Sequence, residues 1–207
     1  STQFLELDNF IKEIRKLRIK INTAKAKRTN KPIQILGCDC YPDSFKDKLD
    51  SDIILYVGDG MFHPKALLLA QKNNPKPIII FDPIQNKVKE ITKKLIEKQL
   101  QRAKRNLRFY INSDSIGILV TIKPGQQYLK AALKLKEKLN NENKKAYIFI
   151  DDTINLNNLE NYPFIKAWVN TACPRIGTDD IVNTDKALIN LKEAFNPINA
   201  LEEMENA

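Results

Sequence analysis

The chain has 207 residues and carries 34 Lys and Arg against 25 Asp and Glu, a formal net charge of +9; this length suits one large domain or two of about 100 residues each. No apolar run of about 18 residues is available to span a bilayer, and Ser1-Thr2-Gln3-Phe4-Leu5 lacks a basic leader, so a soluble, cytoplasmic protein without membrane contact is expected. The three cysteines are unlike a secreted disulfide framework, and the dispersed lysines without interleaved aromatics argue against direct nucleic-acid binding.

Apolar residues at Leu7, Phe10, Ile11, Ile14 and Leu17 recur every three or four positions and predict a packed helix over 4–17. Arg18-Ile19-Lys20-Ile21-Asn22 then alternates, which predicts a short strand. A basic loop from Lys25 to Lys31 leads to an extended Ile33 to Gly37 and to Cys38. Asp52 to Val57 ends at Gly58 and reads as a strand buried on both faces of a parallel sheet. Pro64 starts a helix through Leu67, Leu68 and Leu69, and Pro77 to Phe81 is a second buried strand closed by Asp82-Pro83. From Val88 to about Tyr110 the stripe of Ile91, Leu95, Ile96, Leu100, Ala103 and Leu107 predicts one long helix bridging two domains. Strands are expected at 116–122, 146–150, 165–169 and 187–189, helices at 126–139 and 191–195, and a frayed tail after Pro197.

The halves repeat each other. Phe10-Ile11-Lys12 to Lys16-Leu17 reads like Tyr128-Leu129-Lys130 to Lys134-Leu135, each followed by an alternating strand, a buried strand and a short fourth one. The expected fold is α/β, with two homologous domains at 1–112 and 113–207. Each is a four-stranded, mostly parallel sheet flanked by helices, with ligand loops gathered at the strand C-termini. Where the second half begins with a strand at 116–122, the first has only Ser1-Thr2-Gln3, so its first strand is expected to be cut.

Cys173 follows the strand Ala167-Trp168-Val169, and Cys38 follows Ile33 to Gly37. A thiol in a loop beyond a strand suits a ligand or a nucleophile, although buried free cysteines commonly only fill space. Zinc is poorly served, because Cys38-Asp39-Cys40 lacks a two-residue spacer and the chain has a single histidine, His63. No orienting partner marks His63 for a Cys–His hydrolase. Soft thiolates suit an iron–sulfur cluster, and three of them leave one iron open. Gly58-Asp59-Gly60 fails as a dinucleotide fingerprint, since the third glycine would fall at His63. It reads equally as a tight turn or as a loop offering helix N-terminal amides to a carboxylate. Gln126 reads as a cap residue opening a helix, and Arg175 as a fork for a carboxylate or a plain surface salt bridge. Asp179 and Asp180 read only as caps.

Leu36-Gly37-Cys38 and Asn170 to Ile176 resemble the second and third cysteine motifs of the archaeal diphthamide synthases. Tyr56 to Pro64 resembles that family's glycine-histidine-proline loop, and Lys123-Pro124-Gly125-Gln126-Gln127 the turn opening its third domain. The resemblance runs along nearly the whole chain and implies the second and third of three family domains, the first being absent. It implies that Cys38 and Cys173 ligate a 4Fe-4S cluster, with Cys40 extra to the pattern. It places S-adenosylmethionine near Gln126, with Arg175, Gly58, Gly60 and His63 as further cofactor-binding candidates. The implied activity is transfer of a 3-amino-3-carboxypropyl group, as a radical, to a histidine of elongation factor 2, the first step toward diphthamide. A homodimer is implied, as is an N-terminal segment, in cis or as a separate chain, that supplies the third thiolate; this chain alone is then inactive. The rival reading is a non-catalytic subunit or scaffold of the same complex, and a generic α/β nucleotide binder is disfavoured by the failed glycine motifs. The cluster reading predicts Cys38 and Cys173 sulfurs on the order of 6 to 7 Å apart. A crystal structure of the anaerobically prepared protein checks this, and sulfurs on opposite faces would refute it.

Overall fold

The computed structural model describes residues 1, 3, 6–37, 39–40, 44–45, 51–71 and 74–206. The chain forms two compact units, Ser1–Ile96 and Glu97–Ala207.

The first unit opens with helix α1 (Asp8–Lys16). Its apolar stripe is half-buried rather than buried, and Phe10 stacks on Phe81 with ring centroids 6.1 Å apart. Strand β1 (Ile54–Val57) pairs in parallel with β2 (Ile78–Asp82), from Ile54↔Ile78 to Val57↔Phe81, and β3 (Lys87–Ile91) adds antiparallel to β2. Helix α2 (Phe62–Ala70) forms the crossover and buries Pro64, Ala66, Leu67, Leu68 and Leu69. Pro64 sits in the first turn, where a missing N–H costs no hydrogen bond.

Several expectations are corrected here. Arg18 to Asn22 is not a strand: Arg18 has φ 61°, and no ladder partner lies beside the segment among the described residues. Alternation creates a strand only where a sheet edge receives it. Ile33 to Gly37 is likewise irregular, with Ile33 at φ 57° and Ile35 buried. Leu55 is 43 % exposed while Tyr56 and Val57, which point to opposite faces, are both buried, so β1 is covered on both faces only at its C-terminal end. The long helix over 88–110 is divided. Asp82 accepts hydrogen bonds from the N–H groups of Ile84 and Gln85, and Asn86 adopts φ 50°, which turns the chain back as a hairpin into β3. A 3-10 turn (Lys93–Ile96) then leads into α3 (Glu97–Ile111). The sheet of this unit therefore has three strands among the described residues, in mixed orientation.

The second unit is a four-stranded, all-parallel sheet in the order β5-β4-β6-β7. It is built from β4 (Ser115–Thr121), β5 (Lys145–Asp151), β6 (Ala167–Asn170) and β7 (Ala187–Asn190). Its central strand β4 is buried at every residue, which explains the continuous apolar run. Helices α3, α4 (Leu129–Asn141), α5 (Leu191–Phe195) and α6 (Pro197–Glu205) complete it. One sheet face packs Ile116, Ile118, Val120 and Val169 against Leu135, Leu139, Leu107 and Tyr110. The other gathers Leu119, Trp168 and Leu188 with Leu159, Ile165 and Ile181. The tail after Pro197 is helical rather than frayed, because Met204 is buried in the first of these cores. By packing, α3 belongs to this unit, so compactness divides the chain ahead of the family-type limit expected at 112/113. No helix of the described residues is long and apolar enough to cross a membrane.

A Cβ added at Gly117 in β4 would stand 2.3 Å from the Trp168 ring, which is itself fully buried. Gly117→Ala should therefore overpack the core and cost about 1 to 3 kcal/mol. Urea unfolding followed by the fluorescence of Trp168, the single tryptophan, reads that loss directly.

Candidate metal and cofactor site

β6 delivers the loop from Asn170 to Ile176 at the C-terminal end of the parallel sheet, where such sheets expose their loops. The Asn170 side chain, at the last position of β6, turns inward. Its Nδ2 donates to the Cys173 carbonyl at 2.9 Å and to Asn190 Oδ1 at 2.8 Å, while its Oδ1 accepts from Ala172 N at 3.0 Å. Asn190, its register partner on β7, donates to the Pro174 carbonyl at 3.0 Å. Asn190 also closes a capping box with Glu193 at the start of α5. Thr171 binds the Leu119 carbonyl through its side chain at 2.8 Å and its N–H at 3.1 Å, tying the loop to β4. The Cys173 thiol itself is left half-buried and free of any disulfide.

Arg175 is 9 % exposed and pairs through its guanidinium with the Asp179 carboxylate one helical turn on. The carboxylate that its fork meets thus comes from this chain, and it ties down the segment that follows Cys173. Gly177 completes the arrangement: a Cβ there would lie 2.2 Å from Asn190 Oδ1.

Cys38 lies outside the described residues. Beside it, Asp39 and Cys40 are both 3 % exposed. Asp39 accepts from Arg28 N at 2.5 Å, and the Cys40 thiol donates to the Gly37 carbonyl at 3.3 Å within its own turn. Cys40 is thus a packed thiol and Cys173 a presented one. Among the described residues no three His, Cys, Asp or Glu side chains cluster as a metal site.

In the first unit, Gly58, Gly60 and Met61 line a cleft of about 630 Å3 together with Ile80, Asp82 and the β2–β3 hairpin. His63 is placed apart from that lining, half-buried in the first turn of α2, with its ring stacked on Tyr56 at 6.5 Å. Gln126 does not open a helix. It lies in the turn after β4, its N–H bonded to the Lys123 carbonyl at 3.0 Å, and α4 starts only at Leu129.

Sequence reading singled out the stretch from Asn170 to Ile176 without giving Asn170 or Thr171 a role of its own, and it missed Asn190 and Gly177. A signal was present in the matching Val-Asn and Ile-Asn ends of two buried strands, the second followed by Glu193 at capping-box spacing.

Fold and loop together define an α/β protein that presents a thiol from a rigid loop at the C-terminal end of a parallel sheet. The chain belongs to the diphthamide synthesis protein family, whose model, described as "Putative diphthamide synthesis protein", matches residues 1–206. It is 29% identical over 178 residues to the 2-(3-amino-3-carboxypropyl)histidine synthase of Pyrococcus horikoshii, covering 86% of this chain and 49% of that protein. To the synthase of Methanocaldococcus jannaschii it is 27% identical over 168 residues, 78% of this chain and 45% of the relative. A crystal structure of Dph2 from Pyrococcus horikoshii with a 4Fe-4S cluster superposes with a TM-score of 0.74 at 26% identity, over 97% of this chain and 56% of that one. The chain therefore spans about half the length of these relatives.

Replacing Asn190 by Ala removes a bridge between β7 and the Cys173 loop and leaves buried partners unsatisfied. A loss of about 1 to 3 kcal/mol is expected. Alkylation of Cys173, followed by peptide mass spectrometry, should become faster in that variant while the packed Cys40 keeps its rate.

Proposed function

We propose that this chain is part of an enzyme that transfers a 3-amino-3-carboxypropyl group from S-adenosylmethionine to a histidine of elongation factor 2, the first step of diphthamide formation. The observation that carries this reading is the Cys173 thiol, half-buried and presented by a loop that Asn170 and Asn190 brace through its backbone. Family membership over residues 1–206 supports it.

In this reading Cys173 and Cys38 hold a 4Fe-4S cluster, which soft thiolates suit. Bound there, the cluster supplies the single electron that opens a carbon–sulfur bond of S-adenosylmethionine. The residues of the chain position and shield. Asn170 holds the Cys173 carbonyl and Asn190 the Pro174 carbonyl, which braces the backbone that carries the sulfur, and the Arg175–Asp179 pair fixes the segment behind it. The Gly58–Gly60 loop and the Gln126 turn, each at the C-terminal end of a strand, are the proposed contacts to S-adenosylmethionine, with His63 ordering the first of them. Holding reactants in register is the protein's share of such chemistry. The proposed setting is cytoplasmic, with elongation factor 2 and a second copy of the chain as partners.

A second reading is a scaffold subunit of the same complex, and it draws on relatives that are named subunit 1 of 2-(3-amino-3-carboxypropyl)histidine synthase. Anaerobic reconstitution with iron and sulfide separates the two. A brown protein retaining both elements supports the cluster, and Cys38→Ala and Cys173→Ala should each abolish retention while Cys40→Ala leaves it intact. A colourless wild-type chain would favour the scaffold, and loss of iron in the Cys40 variant alone would reassign the ligands.

A further inference from the structure

Helix α3 lies across the β7 edge of the four-stranded sheet, and three of its polar side chains meet backbone there. Asn106 Nδ2 donates to the Leu188 carbonyl at 2.9 Å, Arg105 to the Asp185 carbonyl at 2.8 Å, and Arg102 to the Thr184 carbonyl. Thr184 and Asp185 precede β7, so the two arginines meet the chain at the N-terminal end of that strand, whereas the Cys173 loop leaves the C-terminal end of its parallel neighbour β6. The two places lie at opposite ends of the sheet.

Lys98, Gln101, Arg102 and Arg105 line a cleft of about 310 Å3 on this helix. Their spacing of three, four and seven residues sets them on one helical face. Three of the four are cations and none is an acid. Asp185 accepts from Arg102 at 3.1 Å, but its side chain is fully exposed, and a pair screened in this way neutralises little of the charge. Arg105 also lies over the Phe109 ring, 5.3 Å from its centroid, which steadies the guanidinium plane. Each arginine is thus anchored at Nη2 by a carbonyl, while the Nε of each is buried and has no hydrogen-bond partner among the described residues. A buried donor left unpaired is costly, the more so on a charged group, and here two of them belong to side chains that line one cationic cleft.

We propose that this cleft binds the phosphate group of a small molecule. A phosphate monoester presents three acceptor oxygens and close to two negative charges at neutral pH, which matches two guanidinium groups and the Lys98 ammonium. A carboxylate, with one charge and two oxygens, would fill a single fork. The lining comes from about two turns of one helix, so the cleft takes one phosphate rather than the run of phosphates along a nucleic-acid strand. Anchoring by the Thr184 and Asp185 carbonyls holds both forks in place before the ligand arrives, so little side-chain freedom is lost on binding.

Titration of the isotope-labelled 207-residue chain with inorganic phosphate at constant ionic strength, read at the arginine Nε–H resonances, tests this. It uses neither metal nor transferase activity, so its failure is distinct from failure of the proposed function. Two such resonances, identified by their loss in Arg102→Gln and Arg105→Gln, should shift and saturate. Arg105→Lys keeps the charge but removes Nε and the fork, and Lys98→Gln removes an exposed cation; each should raise the phosphate dissociation constant about tenfold. Lys98 has no part in anchoring the loop before β7, and an unchanged urea midpoint read at Trp168 shows that its variant is folded. Methyl phosphate should bind as inorganic phosphate does, and acetate should not. Shifts that never saturate, an affinity unchanged in Lys98→Gln or Arg105→Lys, acetate binding as well as phosphate, or oligothymidylate binding far more tightly than methyl phosphate overturns the proposal.

Discussion

The Asn170–Asn190 side-chain bond, made across the ends of β6 and β7, is the contact on which the arrangement around Cys173 depends. An amide has two donors and one acceptor oxygen, and here both asparagines use them to hold backbone that the sheet has just released. In a buried setting each of these bonds matters through what its loss would leave unmade, since an unpaired buried group costs more than a satisfied one contributes. The pair also explains Gly177: once Asn190 is held in place by several partners, the backbone opposite has no room for a side chain.

The two cysteines whose surroundings are described illustrate how local structure assigns chemistry to one residue type. Cys40 is buried and spends its S–H on a carbonyl within its own turn, whereas Cys173 is half-exposed and its backbone carbonyl, not its thiol, is engaged by the loop. A presented thiol on a braced backbone suits ligation, and an engaged, buried thiol suits packing.

The sheets show how edges shape architecture. In the first unit, Asp82 and Asn86 reverse the chain so that the charged β3 covers β2 with an antiparallel, solvent-facing strand. In the second, α3 spends Asn106 and two arginines on the backbone beside β7, while β5 has no such cover among the described residues. A polar helix side chain and an added strand are two answers to the same problem, the satisfaction of backbone groups at the border of a sheet.

By itself the sequence determined the features carried by strong periodicity: the buried strands at Ile54, Ile78, Ile116 and Ala167, the helices after Pro64 and in α4, and the α/β class itself. It also placed Cys173 in a loop directly after a strand, because an apolar run followed by Cys-Pro leaves little else. Tertiary structure decided the rest. Alternation at Arg18 to Asn22 found no sheet edge, the stripe from Val88 was cut by a hairpin whose signal was two side chains, and the polar-looking tail became helix because Met204 reached a core. The partner of Arg175 and the bracing of Cys173 were equally beyond pattern. They depend on which strand ends lie side by side, and the order β5-β4-β6-β7 is a property of packing in three dimensions, not of spacing along the chain.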